Sequence, residues 1–111
     1  MEYAARTSPR EAREAIRRLR EGINSVLSRW HGLRLAVDNQ WGGRDSARKY
    51  ASLVDDIFSW IYLSRGVVCV EELECFLHES MLLTFNTEVE DGSIEDVAEQ
   101  LMLLCQEHRT Q

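Results

Sequence analysis

Apolar residues return at alternating steps of four and three along the first third of the chain: Ala12, Ile16, Leu19, Ile23, Val26, Trp30, Leu33 and Val37. A helix gathers positions with that spacing onto one face. Ser8-Pro9-Arg10-Glu11 supplies its start, with serine at the N-cap, proline at the first helical position and glutamate three residues after the cap. Gly22 and Gly32 lie inside the stripe, each costing about 1 kcal/mol relative to alanine. The stripe keeps phase through both, which predicts a single, bent helix over 9–38. Asp45 then caps a second helix over 46–64, with Tyr50, Leu53, Val54, Ile57, Phe58 and Ile61 inward. Ser64-Arg65-Gly66 ends it.

Val67, Val68, Cys69 and Val70 have strand composition but no partner strand, so they predict an extended connection. Leu73, Phe76, Leu77 and Met81 predict a third helix over 71–84. Asp91-Gly92-Ser93 breaks the chain, and Ser93 with Asp96 forms a capping pair for a fourth helix over 94–108, whose inner face is Val97, Leu101 and Leu104. The expected fold is all-α, a compact bundle of about four helices forming one domain over 9–108. Residues 1–8 form a flexible leader and 109–111 a frayed end. Trp41-Gly42-Gly43 falls at the corner between the first two helices. Its glycines can take positive φ without steric cost, so a helix can stop there. Trp30 and Trp41 are both large enough to be core anchors, and both are predicted to be buried.

With 111 residues, 44% of them hydrophobic, the chain can bury one core without covalent staples. It holds no run of 18 apolar residues and begins with no apolar stretch of the secretory kind, so neither a membrane span nor export is expected. Three cysteines, Cys69, Cys75 and Cys105, make an odd set without CxxC spacing. Free thiols in a reducing compartment are expected.

Charge changes the picture more. The first 50 residues carry 11 basic and six acidic side chains, a balance of +5, whereas residues 51–111 carry two basic and 13 acidic ones, a balance of −11. Glu71, Glu72, Glu95 and Asp96 fall in first helical turns, where the helix dipole favours them. Even so, Asp55, Asp56, Glu71, Glu72, Glu74, Glu79, Glu88, Glu90 and Asp91 remain as a field with almost no local counter-charge. Such self-repulsion stabilises nothing in isolation, so a cationic partner is expected, with Glu72 at the centre of the contact.

Other chemistries are poorly supported. Arg10, Arg13, Arg17 and Arg20 share one side of the first helix, but Glu14 and Glu21 sit at ion-pairing distance in sequence and no aromatic is interleaved to stack a base. Direct nucleic-acid binding is therefore not expected. Cys75 with His78 and Cys105 with His108 repeat one spacing and could together surround Zn²⁺. Cysteine is also a common small core residue, and no tight loop holds either pair, so neither metal nor cofactor is expected. Catalysis finds no GxSxG elbow and no phosphate-binding loop. Asp55 and Asp56 are adjacent in a helix and point about 100° apart, so they cannot act as an acid–base pair.

Four segments in order carry a family resemblance: Trp30 to Val37, Asp38-Asn39-Gln40-Trp41-Gly42-Gly43, Val70 to Leu77, and Phe85-Asn86-Thr87-Glu88-Val89-Glu90-Asp91-Gly92-Ser93. Together they resemble the WGG-domain family of pre-ribosomal-RNA-processing proteins, over roughly residues 12–105. The resemblance implies a non-enzymatic escort chaperone, or escortin, in ribosome biogenesis. Its client is the very basic eukaryotic small-subunit ribosomal protein number twenty-six, released from its nuclear import receptor and handed to the pre-ribosome. It further implies residence in nucleus, nucleolus and cytoplasm, without membrane attachment. The alternative is a helical adaptor for another basic protein. Family members usually continue into a long acidic tail, which does not fall within these 111 residues.

Overall fold

A computed structural model describes residues 8–65 and 67–109. The leader at 1–7, Gly66 and residues 110–111 lie outside the described residues, and with them most of the predicted leader and frayed end. Five α-helices follow in order: α1 (Pro9–Ser28), α2 (His31–Asp38), α3 (Ser46–Leu63), α4 (Val70–Glu79) and α5 (Ser93–Arg109). A π-helical turn, Ser80–Thr84, continues α4 directly. No strand occurs among the described residues.

The start of α1 is the predicted capping box. The Ser8 hydroxyl accepts from the Glu11 N–H at 3.0 Å, and the Glu11 carboxylate accepts from the Ser8 N–H at 3.1 Å. The predicted single helix over 9–38 is two helices. Trp30 is extended, with φ −78° and ψ 106°, and starts α2 afresh. The stripe survives this break because Val26, Leu27, Trp30, Leu33 and Ala36 all reach the same core. The extended residue lets the Trp30 ring turn inward, where its indole N–H donates to the Ser93 hydroxyl at 2.8 Å. Ser93 is therefore a tether between α1–α2 and α5 rather than the predicted cap paired with Asp96; the Ser93 N–H is received by Asp91 at 3.0 Å.

Helix α1 lies along α3 and α5, α4 lies along α5, and α2 packs on α3. Gly22 does not weaken α1 for nothing. A Cβ built there would stand 2.8 Å from the tip of the Leu104 side chain, so the glycine leaves room for that side chain of α5. The core runs from Leu19, Ile23 and Leu27 through Leu53, Ile57 and Ile61 to Leu73, Leu77, Phe85, Val97 and Leu101. Trp60 meets Phe76 edge-on at 5.5 Å and seals the α3–α4 side. Burying a Leu or Ile side chain contributes roughly 1.5–3 kcal/mol, so this apolar set is the main stabilising term.

Candidate functional site: an acidic cleft beside the Trp-Gly-Gly junction

The turn after α2 is closed by a residue that the pattern did not single out. Gln40 adopts φ 55°. The Trp41 N–H donates to the Ala36 carbonyl at 2.9 Å and the Gln40 N–H to the Val37 carbonyl at 3.1 Å. That bonding is a Schellman helix end with glutamine where glycine is usual. The glycines do different work from the expected helix stop. Gly43 takes φ +100°, while Gly42 is buried, and a Cβ on it would stand 2.6 Å from the Thr84 carbonyl oxygen and 3.2 Å from Phe85. Ser46 completes the corner, accepting from the Gly42 N–H at 3.1 Å and donating to the Gly43 carbonyl at 2.8 Å. Asp45, the expected cap of α3, makes no side-chain cap bond.

Gly42 thus lets the turn after α2 touch the end of the π-helical turn after α4. Asn86, with φ 54°, locks the contact by donating from Nδ2 to the Trp41 carbonyl at 2.8 Å. The two sequence markers, 45 residues apart at Trp41 and Asn86, are one junction. Trp41 itself is not the buried anchor expected. It keeps 44% of its surface exposed, whereas Trp30 keeps 4%. The buried ring at the junction is Phe85.

The junction fixes where the chain from Asn86 onward runs, and that chain closes a cleft against α4. The cleft, of about 450 Å³, is lined by Glu74, Glu79, Glu90 and Glu95, with Cys75, His78, Val89 and Ile94 between them. No ion pair engages these four carboxylates among the described residues. Glu74 is half-buried; Glu79, Glu90 and Glu95 are exposed. Glu95, in the first turn of α5 where the helix dipole favours it, also lines the cleft.

The other predicted acidic residues distribute around this centre. Glu71 and Glu72 are exposed in the first turn of α4 and do not line the cleft. A hydrogen bond from the Cys69 thiol, at 3.0 Å, holds the Glu71 carboxyl below the usual carboxylate range. Hydrogen bonding from Ser93 does the same for Asp91, which stands in the chain between the cleft-lining Glu90 and Gly92. Glu88 is exposed on the same connecting segment. Asp56 lines a separate groove with Lys49, Phe76 and Phe85. Asp55 faces α1, where it forms an ion pair with Arg20, whose guanidinium also lies 4.4 Å from the Phe58 ring centre. Asp55 therefore has the counter-charge that the sequence did not reveal.

The paired Cys/His spacing does not converge. Cys75 and His78 share the cleft with the start of α5, at Ile94 and Glu95. Cys105 lies ten residues further along that helix, or about 15 Å at 1.5 Å per residue. Burial pushes the Cys105 thiol up to about 11, and His108 stands against Tyr62 instead. Among the described residues no group of three or more His, Cys, Asp and Glu side chains is placed to hold a metal ion. All three cysteines are free thiols; Cys69 and Cys75 are exposed.

Comparison with known proteins gives this architecture a family. The WGG family model, described as "Pre-rRNA-processing protein TSR2", matches residues 19–99, a span that includes the junction and the cleft. The chain belongs to the WGG family. The zebrafish (Danio rerio) pre-rRNA-processing protein TSR2 homolog is 36% identical over 87 residues, covering 78% of this chain and 48% of that protein. The human homolog is 32% identical over 96 residues, covering 84% of this chain and 48% of that protein. The Saccharomyces cerevisiae pre-rRNA-processing protein TSR2 is 34% identical over 84 residues, covering 73% and 39%. The chain thus spans about half the length of these WGG relatives or less. No solved structure matches it.

Proposed function

We propose that this WGG domain is the client-holding part of a non-enzymatic escort that supports pre-rRNA processing. The client is the basic small-subunit ribosomal protein number twenty-six, taken over from its nuclear import receptor and delivered to pre-ribosomes. The role places the protein in nucleus, nucleolus and cytoplasm. One observation carries the reading: four carboxylates line a cleft with no internal counter-charge, in a chain whose relatives bear a pre-rRNA-processing name. A ribosomal protein without its RNA has a dense cationic surface, and lysine or arginine entering this cleft relieves charge repulsion on both sides.

Glu74 is the centre of the contact, because it is the half-buried member of the set, while Glu71, Glu72, Glu88 and Asp91 act at the rim. Rim charges set association rate and salt dependence; a desolvated central pair sets residence time. Asp56 widens the surface from the neighbouring groove, and Asp55 contributes least because Arg20 already neutralises it. A holding assay tests the function. Purified client is diluted from denaturant into physiological salt with or without an equimolar amount of the domain. Suppressed turbidity for this client, but not for an equally basic histone, supports the escort. Equal protection of both assigns a general adaptor for basic proteins.

A further inference from the structure

The corner between α2 and α3 presents a second surface, of opposite sign. Trp41 is half-exposed, yet its backbone is pinned on both sides, by Ala36 through its N–H and by Asn86 through its carbonyl. An indole carried on a held backbone and left open to solvent can serve as a platform rather than a core anchor. Three arginines flank the corner along the chain. Arg34 lies on α2, two residues before the carbonyl that receives the Trp41 N–H. Arg44 follows Gly43 in the turn. Arg48 is in the first turn of α3, whose Ser46 is bonded to Gly42. All three are exposed, and no ion pair or hydrogen bond engages their guanidinium groups among the described residues.

The arginines of α1 behave differently. Arg17 is paired with Glu14 and Glu21, and Arg20 with Asp55. Within the corner, Asp38 and Asp45 are the acidic residues, and Asp45 lies 3.7 Å from the Lys49 amine. No aromatic stands among the arginines of α1 to stack a base. At the corner an exposed aromatic, Trp41, is flanked along the chain by exposed, unpaired arginines.

We propose that Trp41, Arg34, Arg44 and Arg48 form a contact site for single-stranded RNA. One unstacked base lies on the indole, and the guanidinium groups take the flanking phosphates. An acidic peptide would satisfy the arginines but meets the indole only where it carries an apolar side chain, whereas every unit of a single strand offers a stacking face beside its phosphate, so the combination favours a base-bearing polyanion. The chain's net charge of −6 opposes binding only over a short range, since the Debye length at physiological salt is about 8 Å. This contact uses no residue of the acidic cleft and needs no client.

The test is a titration of the chain with fluorescein-labelled 12-nucleotide oligouridylate, read by anisotropy, with tryptophan emission read in parallel. The expected result is salt-dependent binding that quenches tryptophan emission. Trp41→Ala weakens it at least fivefold, Trp41→Phe retains most of it, and Arg44→Glu with Arg48→Glu weakens it at least tenfold. Circular dichroism verifies that each variant keeps its helicity. Undiminished affinity in Trp41→Ala overturns the proposal. So does tighter binding of a 12-bp RNA duplex, which has no free base to stack. Oligoglutamate that binds as tightly as RNA overturns it in favour of an acidic protein partner, and absence of any RNA binding at low salt overturns it outright.

Discussion

Replacing Gly42 by alanine adds one methyl group at the point where the two motif segments meet. The new Cβ would lie 2.6 Å from the Thr84 carbonyl oxygen, 3.2 Å from Phe85 Cδ1 and 3.2 Å from Ser46 Oγ. Relief requires the corner and the π-helical turn to separate by at least several tenths of an ångström. The carbonyl is backbone, and Phe85 is fully buried, so neither yields cheaply. Separation also stretches the Asn86–Trp41 hydrogen bond, now 2.8 Å long. The expected cost is about 2–3 kcal/mol, the upper part of the range for overpacking. For a domain of this size that lowers the melting temperature by roughly 8–12 °C. Urea unfolding followed by circular dichroism measures it. Gly32→Ala is the internal comparison, since its Cβ meets nothing nearer than 3.8 Å. It should stabilise α2 by up to about 1 kcal/mol through helix propensity. If Gly42→Ala stays within about 0.5 kcal/mol of wild type, the tight-junction argument is wrong.

Trp30→Ala should cost about 3–5 kcal/mol, as for a buried aromatic, and Trp41→Ala less than about 2 kcal/mol because that residue is already 44% exposed; denaturant midpoints of the two variants decide it. Asn86→Ala removes the bond to Trp41 and leaves a Cβ residue at positive φ, with an expected loss of about 1–2 kcal/mol in the same assay. Cys69 and Cys75 should react quickly with a thiol reagent, and Cys105 only on unfolding; equal rates for all three would contradict the burial of Cys105. Its raised thiol pKa also has a pH signature. The stability contribution is full below the ordinary thiol range and is lost as pH rises towards about 11, because the unfolded chain loses that proton first. Unfolding midpoints measured from pH 7 to 10.5 should therefore fall at the alkaline end, and less so in Cys105→Ala.

Much of the helical layout was legible because apolar spacing and caps are local. The starts of α1 and α3 and the extent of α4 with its π-helical turn fell where the spacing put them. The break at Trp30 was hidden because the stripe stays in phase across it. Gln40 was hidden because glutamine is an uncommon choice for positive φ, and the adjacent glycines drew the assignment. The exposure of Trp41 depends on Gly42 and Phe85 filling the junction, a contact between segments far apart in sequence. The acidic composition of the candidate site was legible, and the fold brings Glu74, Glu79 and Glu90 of the named set to one cleft. Its membership was only partly so: Glu95 looked like a dipole residue, and Arg20, which neutralises Asp55 from 35 residues away, belongs to another helix.

The most direct test of the account measures binding of the purified small-subunit ribosomal protein by calorimetry at several salt concentrations. It compares wild type, a cleft variant (Glu74→Lys, Glu79→Lys, Glu90→Lys) and a charge-matched variant elsewhere (Glu21→Lys, Asp38→Lys, Glu99→Lys). Wild-type affinity is expected to fall steadily with salt. The cleft variant is expected to lose at least about a hundredfold, in line with truncating desolvated charge pairs, and the other under about tenfold. Equal losses in the two variants, or an affinity indifferent to salt, would contradict the claim that the cleft between α4 and α5 holds the client.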